Sequence, residues 1–401
     1  MIGRSRKAEV LLADPGVSGV HACIEPRSGG AFVRDLGSRN GTFANGERVT
    51  SAGAALRSGE VLRVGDTLLL LVDDVELYRT RPRRVEAATL GIAEPVVAGP
   101  ALARVWDEAT RAAQLRHPVL LLGESGSGKE CIARMLHAAR AEGGPFVGIN
   151  MAAVPDSLFE AELFGHERGA FTGARSARLG AFREATGGVL FLDEVGELNP
   201  PLQAKLLRTL DQRRVRPLGA DREYEVNVQL VSATNRELKS ASEDGNEAFR
   251  TDLYYRLAGI VIRVPPLRER PDDIILLTEQ LLRAQRPQLK LSADVAELLV
   301  LGRWEGNARE LRYAVVHATL AALASGSDEL RAEHVKAPLP KAAGGGPLTA
   351  ERMRAALAQC DGVATHAARA LGVSRATFYV ALKRFNLGSQ KLARGSNLDG
   401  T

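Results

Sequence analysis

The 401-residue sequence is poor in cysteine and contains no long apolar run. Cys23, Cys131 and Cys360 are far apart and form no C-x-x-C pair, which excludes a disulfide framework and a zinc site and predicts three separate buried thiols. No run approaches the roughly 20 apolar residues of a membrane helix, and the first residues lack the apolar segment of a secretory leader. We therefore expect a cytoplasmic protein without a membrane partner.

Length and charge distribution indicate several modules. A single core rarely extends over a chain of this length, so about two to four domains are expected. The formal net charge is only +5, yet residues 348–394 hold eight basic residues against Glu351 and Asp361. A local basic excess of this kind is typical of a segment that binds a polyanion.

The hydrophobic pattern changes several times along the chain. Short alternating runs between glycine turns predict strands, whereas apolar runs that alternate with helical stretches predict a parallel α/β sheet. The expected organisation is a β-sandwich over residues 1–77, a linker over 78–96, an α/β core over 97–265, a helical segment over 266–336, a linker over 337–347, a compact helical domain over 348–388 and a tail over 389–401.

A glycine-rich loop follows the apolar strand "PVLLL" and leads into a helical stretch. Glycines allow successive backbone N–H groups to face phosphates, while the helix N-terminus and Lys129 add positive potential, so this P-loop predicts ATP binding. Glu130 stands where a Ser or Thr usually binds Mg²⁺. The residues expected to hold the nucleotide are Gly123, Glu124, Ser125, Gly126, Ser127, Gly128, Lys129 and Glu130.

Two further strands end in polar residues. "VLFLDE" delivers Asp193 and Glu194 to the carboxyl end of a buried strand, where we expect Asp193 to hold Mg²⁺ through water and Glu194 to polarise the attacking water. The alternative is a salt-bridged pair at a helix start. "LVSATN" ends with Thr234 and Asn235, which are suited to sensing the γ-phosphate.

The central segment resembles a known family. The motifs P-loop, "GAFTGA", "LFLDE", "SATN", "FRTDLYYRL", "VPPLRERPDDI" and "WEGNARELR" occur in this order over about residues 98–336. They are similar to the AAA+ domain of the bacterial enhancer-binding proteins that activate sigma-54 RNA polymerase. The resemblance implies an α/β P-loop ATPase with a helical lid, and Glu130 fits it because glutamate generally follows the P-loop lysine in that family.

Further roles follow from the resemblance alone. Asn150 in "FVGIN" would contact Glu194 as a nucleotide-responsive switch. By position, Arg250 and Arg256 would be arginine fingers that reach the γ-phosphate in a neighbouring subunit, and Arg309 would be a second sensor in the lid. Fingers supplied in trans imply a homo-oligomer, which by resemblance is a hexameric ring. The alternative is that these arginines form ordinary surface ion pairs.

The loop "GAFTGA" places an aromatic residue between glycines, which argues against a packed strand or helix. In the resembled family this hexapeptide engages sigma-54, so Phe171 and Thr172 are the expected contacts, with Glu167 and Arg168 at the loop base. The alternative is a buried Phe171 in a plain turn. The full predicted contact set is Gly169, Ala170, Phe171, Thr172, Gly173 and Ala174.

The C-terminal stretch "DGVATHAARALGVSRATFYVALKRFNL" contains a short helix, a glycine turn and a basic second helix, which is the helix-turn-helix pattern. It resembles the all-α Fis-type DNA-binding domain, which implies double-stranded DNA at an upstream site as a partner. The alternative is a purely structural helical hairpin. Candidate DNA-binding residues are Ser374, Arg375, Ala376, Thr377, Tyr379, Lys383 and Arg384, of which Lys383 and Arg384 are expected at phosphates.

The N-terminal motifs "IGRS", "GVSGVH" and "LGSRNGTFANG" resemble a forkhead-associated (FHA) β-sandwich, whose loops recognise phosphothreonine. The predicted phosphothreonine-binding residues are Arg4, Ser18, His21, Arg39 and Asn40. The family often has arginine where this chain has Gly19, and it has one or two strands before the glycine of "MIGR". We therefore expect either an upstream start codon or an incomplete module.

Together these features predict a multidomain activator. It would hydrolyse ATP to remodel sigma-54 RNA polymerase, bind upstream DNA, and answer to a phosphothreonine protein or a Ser/Thr kinase. The alternative is an AAA+ DNA-binding regulator that never engages sigma-54 and uses its FHA-like module as a phosphate-independent scaffold.

Overall fold

A computed structural model describes residues 1–79, 82–238, 249–335 and 348–360, together with 363–364, 367–368, 371, 373, 375–385 and 387. The predicted linker 337–347 and tail 389–401 lie outside the described residues. The chain forms two compact units, one from Met1–Arg81 with Leu267–Thr401 and one from Pro82–Pro266. Within the described part of the chain, no helix is long and apolar enough to cross a membrane.

The N-terminal residues form two facing sheets. The strands are β1 (Ile2–Gly3), β2 (Val10–Leu11), β3 (Ala22–Arg27), β4 (Gly30–Asp35), β5 (Thr42–Ala44), β6 (Glu47–Arg48), β7 (Ala54–Arg57), β8 (Val61–Val64) and β9 (Thr67–Leu70), followed by a short helix α1 (Val75–Tyr78). One sheet has the order β2-β1-β3-β4-β7 and the other β6-β5-β8-β9. Alternate residues such as Val33, Leu62 and Val64 fill the core because successive side chains of a strand face opposite sides.

The second unit is an α/β domain. Its strands are β10 (Arg83–Val85), β11 (Val96–Ala98), β12 (Val119–Leu122), β13 (Phe146–Asn150), β14 (Val189–Asp193), β15 (Arg214–Val215), β16 (Tyr224–Glu225), β17 (Gln229–Thr234) and β18 (Ile260–Arg263). Its helices are α2 (Ala87–Leu90), α3 (Pro100–Leu115), α4 (Lys129–Ala138), α5 (Phe159–Phe164), α6 (Ala181–Glu184), α7 (Pro200–Gln212) and α8 (Thr251–Leu257).

The central sheet of this unit explains where the nucleotide residues lie. Its strands run in parallel in the order β13-β14-β17-β12-β18. Strands β12, β14 and β17 are buried nearly throughout, as expected for a sheet covered on both faces. Their carboxyl ends therefore meet at one edge, to which the P-loop, Asp193 and Thr234 are attached.

The C-terminal part of the first unit is helical. Its elements are α9 (Pro271–Gln285), β19 (Lys290–Leu291), α10 (Ala293–Val300), α11 (Asn307–Ala324), β20 (Glu329–Leu330), α12 (Ala350–Gln359) and α13 (Arg375–Arg384). Helices α9, α10 and α11 bury Trp304 at the centre of their core, where the indole N–H donates to Leu299 O at 2.7 Å. Val380 of α13 packs into the same core.

Two local expectations differ from the structure. The predicted linker 78–96 contains β10 and α2. Strand β10 forms because it pairs with β11, and pairing of this kind leaves no periodic pattern in so short a segment. The three cysteines are free thiols, as predicted, but they are half-buried rather than buried.

Candidate functional site

The P-loop connects β12 to α4 and presents its backbone to the carboxyl edge of the sheet. Gly126 and Gly128 have φ values of 74° and 104°, which favour glycine because other side chains are strained there. The loop is tied to the neighbouring strand, since Gly123 N–H donates to Thr234 O at 3.2 Å. Helix α4 begins at Lys129, so the N–H groups of its first turn lie at the loop.

Lys129 is the buried cation of this site and is only 6% exposed. Its Nζ donates to Gly123 O at 2.9 Å and to Glu124 O at 3.2 Å, and it lies 3.8 Å from Oε1 of Glu194. Glu130 is exposed and pairs with Arg134 one turn later in α4. The lysine and the catalytic carboxylate predicted from distant segments are thus brought together, whereas Glu130 lies on the helix surface.

Asp193 is the last residue of β14 and Glu194 follows it, and the two carboxylates lie in different environments. Burial, and then the charge of Glu194, raises the pKa of Asp193 above its ordinary value, while Lys129 acts in the opposite direction. Glu194 adopts φ 54°, a left-handed conformation that is uncommon outside glycine. This backbone turn directs its carboxylate towards Lys129 and towards the N–H of Asn235, which donates to Oε2 at 3.4 Å.

Asn150 contacts a different carboxylate from the one expected. Its Nδ2 donates to Oδ2 of Asp193 at 3.4 Å, and its Oδ1 accepts from Ala152 N–H at 2.9 Å. The register explains this contact, because β13 and β14 place Asn150 directly opposite Asp193. In this structure Asn150 thus contacts Asp193, and its nucleotide-dependent contact with Glu194 stays a prediction.

The remaining sensor residues lie at the same strand end. Thr234 is fully buried, and its Oγ1 accepts from Arg236 N–H at 3.1 Å, so it organises the strand end. Asn235 is exposed beside Glu194. Asp193 and Glu194 place two carboxylates at this strand end, and carboxylate oxygens are ligands that suit Mg²⁺.

The three arginines assigned from the resemblance are at the surface. Arg250 precedes α8 and pairs with Asp252 at 2.7 Å, while Arg256 on α8 pairs with Asp211 at 3.2 Å. Each guanidinium is about half exposed, with side-chain exposures of 45%. Arg309 is exposed in the first turn of α11.

The hexapeptide 169–174 forms a closed, exposed turn. Gly169 N–H donates to Ala174 O at 2.9 Å, and Gly169 and Gly173 have φ values of 84° and 106°. Phe171 is 37% exposed and Thr172 is exposed. The ring of Phe171 leans edge-on against His166 with centroids 5.0 Å apart. His166 is a contact that the sequence argument missed, although its position at the loop base was a signal.

The predicted phosphothreonine residues converge at one end of the sandwich. The N–H of Arg4 donates to the carbonyl oxygen of Ser18 at 3.0 Å. The N–H of Arg39 donates to Oγ of the same serine at 3.1 Å. Asn40 Nδ2 donates to Gly16 O at 2.8 Å. The side chains of Arg4, Arg39 and Asn40 are exposed.

His21 lies fully buried beneath these loops. Its Nδ1 accepts from Ser18 N–H at 2.9 Å, so Nε2 carries the ring proton and donates to Gly41 O at 3.3 Å. It therefore connects two loops from opposite parts of the motif. In this structure the ring thus supports both loops through hydrogen bonds.

Asp35 is a loop residue that the motif search missed. It accepts from Ser38 Oγ at 2.5 Å, Thr42 Oγ1 at 2.6 Å and Gly37 N–H at 2.9 Å. Burial acts to raise the pKa of Asp35, but the hydrogen bonds from Ser38 and Thr42 lower it below its ordinary value. The signal was an Asp two residues before a Gly-Ser pair, and Asp side chains commonly organise turns by hydrogen-bonding the backbone that follows.

The C-terminal residues assigned to DNA are only partly described. Ser374 lies outside the described residues, and for Arg375 and Ala376 only the helical backbone is described. Thr377 is buried and Tyr379 packs against the core of α9–α11, while Lys383 Nζ donates to Glu333 O. Arg384 is exposed. Thr377 is thus not presented to DNA in this arrangement, because its face of α13 packs inward.

Four known families match successive parts of the chain. Residues 1–65 match the FHA domain, residues 96–263 the sigma-54 interaction domain, residues 268–349 the AAA+ ATPase lid domain, and residues 350–385 the bacterial regulatory proteins of the Fis family.

Full-length relatives extend the comparison. The transcriptional regulatory protein GlrR of Escherichia coli is 39% identical over 333 residues, which cover 80% of this chain and 74% of GlrR. A Nif-specific regulatory protein of Azotobacter vinelandii is 42% identical over 311 residues, which cover 73% of this chain but only 59% of that protein.

A solved structure of another bacterial protein is also similar to this chain. NtrX from Brucella abortus, crystallised in complex with ADP, is 27% identical with a TM-score of 0.55, covering 71% of this chain and 68% of NtrX. These similarities and the site geometry lead to one conclusion: the chain belongs to the family of sigma-54-dependent bacterial transcriptional regulators, with an FHA domain, an AAA+ ATPase domain with its lid, and a Fis-type helix-turn-helix domain.

Proposed function

We propose that this protein hydrolyses ATP to remodel sigma-54 RNA polymerase at promoters while it is anchored to upstream DNA. The observation that carries the proposal is the complete loop 169–174, with Phe171 and Thr172 exposed, in the same compact unit as the nucleotide residues. An exposed aromatic on a glycine-flanked turn suits a contact that forms and breaks with nucleotide state.

In this proposal the P-loop N–H groups and Lys129 hold the phosphates. Asp193 would hold Mg²⁺, which would supply positive charge beside the phosphates when bound. Glu194 accepts a hydrogen bond from the water that attacks the γ-phosphorus, and the bond to the β,γ-bridging oxygen breaks to give ADP and phosphate. The 3.8 Å distance between Oε1 of Glu194 and Nζ of Lys129 supports this role of Glu194. Arg250 and Arg256 stabilise the transferred group in a neighbouring protomer, so a homo-oligomer, in our proposal a hexameric ring, is the working form.

The chain also suggests how nucleotide state reaches the loop. Asn150 donates to Asp193 and caps the turn that begins at Met151. The chain continues from this turn through α5 to His166. The N–H of His166 donates to Arg178 O, and the N–H of Arg178 donates to His166 O. A change at the carboxylates therefore has a short route along the chain to Phe171.

In this proposal the C-terminal domain positions the activator on DNA, and the N-terminal domain regulates it. The C-terminal domain binds double-stranded DNA, and the loops at Arg4 and Arg39 take a phosphothreonine protein, which places the activator under a Ser/Thr kinase. The convergence of Arg4, Ser18 and Arg39 through their hydrogen bonds supports the second role. Polymerase and DNA as partners place the protein in the cytoplasm.

The test is in vitro transcription from a sigma-54 promoter with wild-type protein and the Thr172→Ala variant. We expect Thr172→Ala to keep ATPase activity and to lose open-complex formation, because the substituted residue lies on the exposed tip. Ser176→Ala, which removes an exposed hydroxyl just outside the hexapeptide, is the matched control and should activate normally. Equal transcription from Thr172→Ala and wild type would favour the alternative of a regulator that does not engage sigma-54.

A further inference from the structure

The FHA domain presents a second face, away from its phosphate loops, to the lid. This face consists of Phe43 on β5, the Asn45–Gly46 turn, and Arg63 on β8. The Arg63 guanidinium lies 4.1 Å above the Phe43 ring, and its Nε donates to Oε2 of Glu297 at 2.7 Å. Gly46 N–H donates to Oε1 of the same carboxylate at 3.2 Å.

Glu297 is a buried carboxylate whose partners come from this face. It lies in α10 among the buried residues Val295, Leu298 and Leu299, and it is itself fully buried. Burial raises its pKa, and Arg63 is the largest opposing influence. A buried carboxylate needs a counter-charge and hydrogen-bond donors, and both observed donors come from the FHA domain rather than from the lid.

The fit around the pair is close. Strands β8 and β9 pack against α10, and a Cβ placed on Gly46 would lie 3.1 Å from Cδ1 of Leu301 and 3.4 Å from Oγ1 of Thr377. Glu47 also forms a backbone bridge with Val373. The turn 45–47 therefore contacts both the end of α10 and the helix-turn-helix domain.

The phosphate loops stay open in this arrangement. Asn40 and Gly41 directly precede β5, and the turn 45–47 directly follows it. The phosphate loop and this turn therefore lie at opposite ends of one strand about 10 Å long. Arg4, Arg39 and Asn40 remain exposed. Occupation of the loops and attachment to the lid are thus compatible.

We infer that the FHA domain is clamped to the ATPase lid through Arg63 and Glu297, with the phosphate loops left free for a ligand. The clamp does not depend on what the loops bind or on whether the protein engages sigma-54.

Hydrogen exchange of the full-length protein, without nucleotide, peptide or DNA, tests the clamp. In Arg63→Met we expect the amides of residues 294–301 to exchange roughly tenfold faster or more, because an unpaired buried carboxylate forces the interface open. Arg27→Met is the matched control: Arg27 also lies over a phenylalanine, Phe32, and pairs with Glu25, but on the other sheet. It should leave 294–301 at wild-type rates.

Wild-type exchange at 294–301 in folded Arg63→Met would overturn the inference, with folding checked by circular dichroism. If Arg63→Met does not fold, Glu297→Leu gives the test from the lid side, since leucine suits the apolar surroundings of that position. It should accelerate exchange of residues 42–47, where Gly46 has lost its acceptor. Unchanged protection there would equally overturn the clamp.

Discussion

This chain contains two candidate phosphate sites that are built on opposite principles. In the P-loop, one contiguous segment supplies backbone N–H groups, a helix N-terminus and the nearly buried Lys129. In the FHA domain, three separate segments converge, and the cationic side chains of Arg4 and Arg39 are exposed while the buried member, His21, only connects loops. Buried charges act through a low dielectric, whereas exposed charges are screened by salt. The two sites should therefore differ in the size and the salt sensitivity of their responses.

The largest expected effect is on hydrolysis by Glu194→Gln. We expect ATP binding to persist and turnover to fall by roughly 100- to 1,000-fold, because the carboxylate that orients water is lost. Steady-state phosphate release and nucleotide binding measure the two quantities. Glu197→Gln changes a neighbouring carboxylate that pairs with Arg236 and should leave turnover intact. Normal turnover in Glu194→Gln would remove this residue from catalysis.

The next effect is on nucleotide affinity in Lys129→Ala. Removing a nearly buried ammonium should cost about 2 to 3 kcal/mol, or roughly 100-fold in ATP affinity. Calorimetry with ATP measures it, and Lys290→Ala, which removes an exposed lysine of the lid, is the control. Phosphothreonine peptide binding should be unaffected. Retained ATP affinity would contradict the proposed P-loop chemistry.

A smaller effect is expected at the FHA loops. Arg4→Ala should weaken binding of a phosphothreonine peptide by about tenfold, and the wild-type affinity should fall as salt rises, since the guanidinium is exposed. Arg6→Ala, an exposed arginine two residues away, is the control. If phosphorylated and plain peptides bind equally well, the domain is a phosphate-independent scaffold.

The smallest effect is a shift in pH dependence at the nucleotide site. Burial and the charge of Glu194 raise the pKa of Asp193, so Mg²⁺-ATP affinity should be lost as pH falls through that raised value and Asp193 becomes protonated. Glu194→Gln removes one cause and should move this acid limb to lower pH. Affinity measured from about pH 4 to pH 7 in both proteins tests the direction. An unmoved limb would mean that the two carboxylates do not interact.

The sequence predicted the fold class, and it proposed a contiguous nucleotide loop, because both signals are local. A P-loop is a strand, a glycine-rich loop and a helix in immediate succession, and "GAFTGA" is contiguous. The contact of Asn150 with Asp193 was not visible in the sequence, since it depends on the register of β13 against β14. His166 and Asp35 were missed as supports because their importance lies in what they contact.

Local physical chemistry, written in the sequence, therefore determined the strands, the P-loop, the exposed aromatic turn and the basic second helix. The tertiary structure alone decided that Lys129 lies beside Glu194, that Arg4, Ser18 and Arg39 meet, and that Arg63 reaches Glu297. Glu297 shows the reason most plainly: a glutamate in an apolar helix reads as a solvent-facing residue until the fold places a cation from 234 residues away against it. Electrostatic pairing across the fold depends on distance in space, which residue order does not contain.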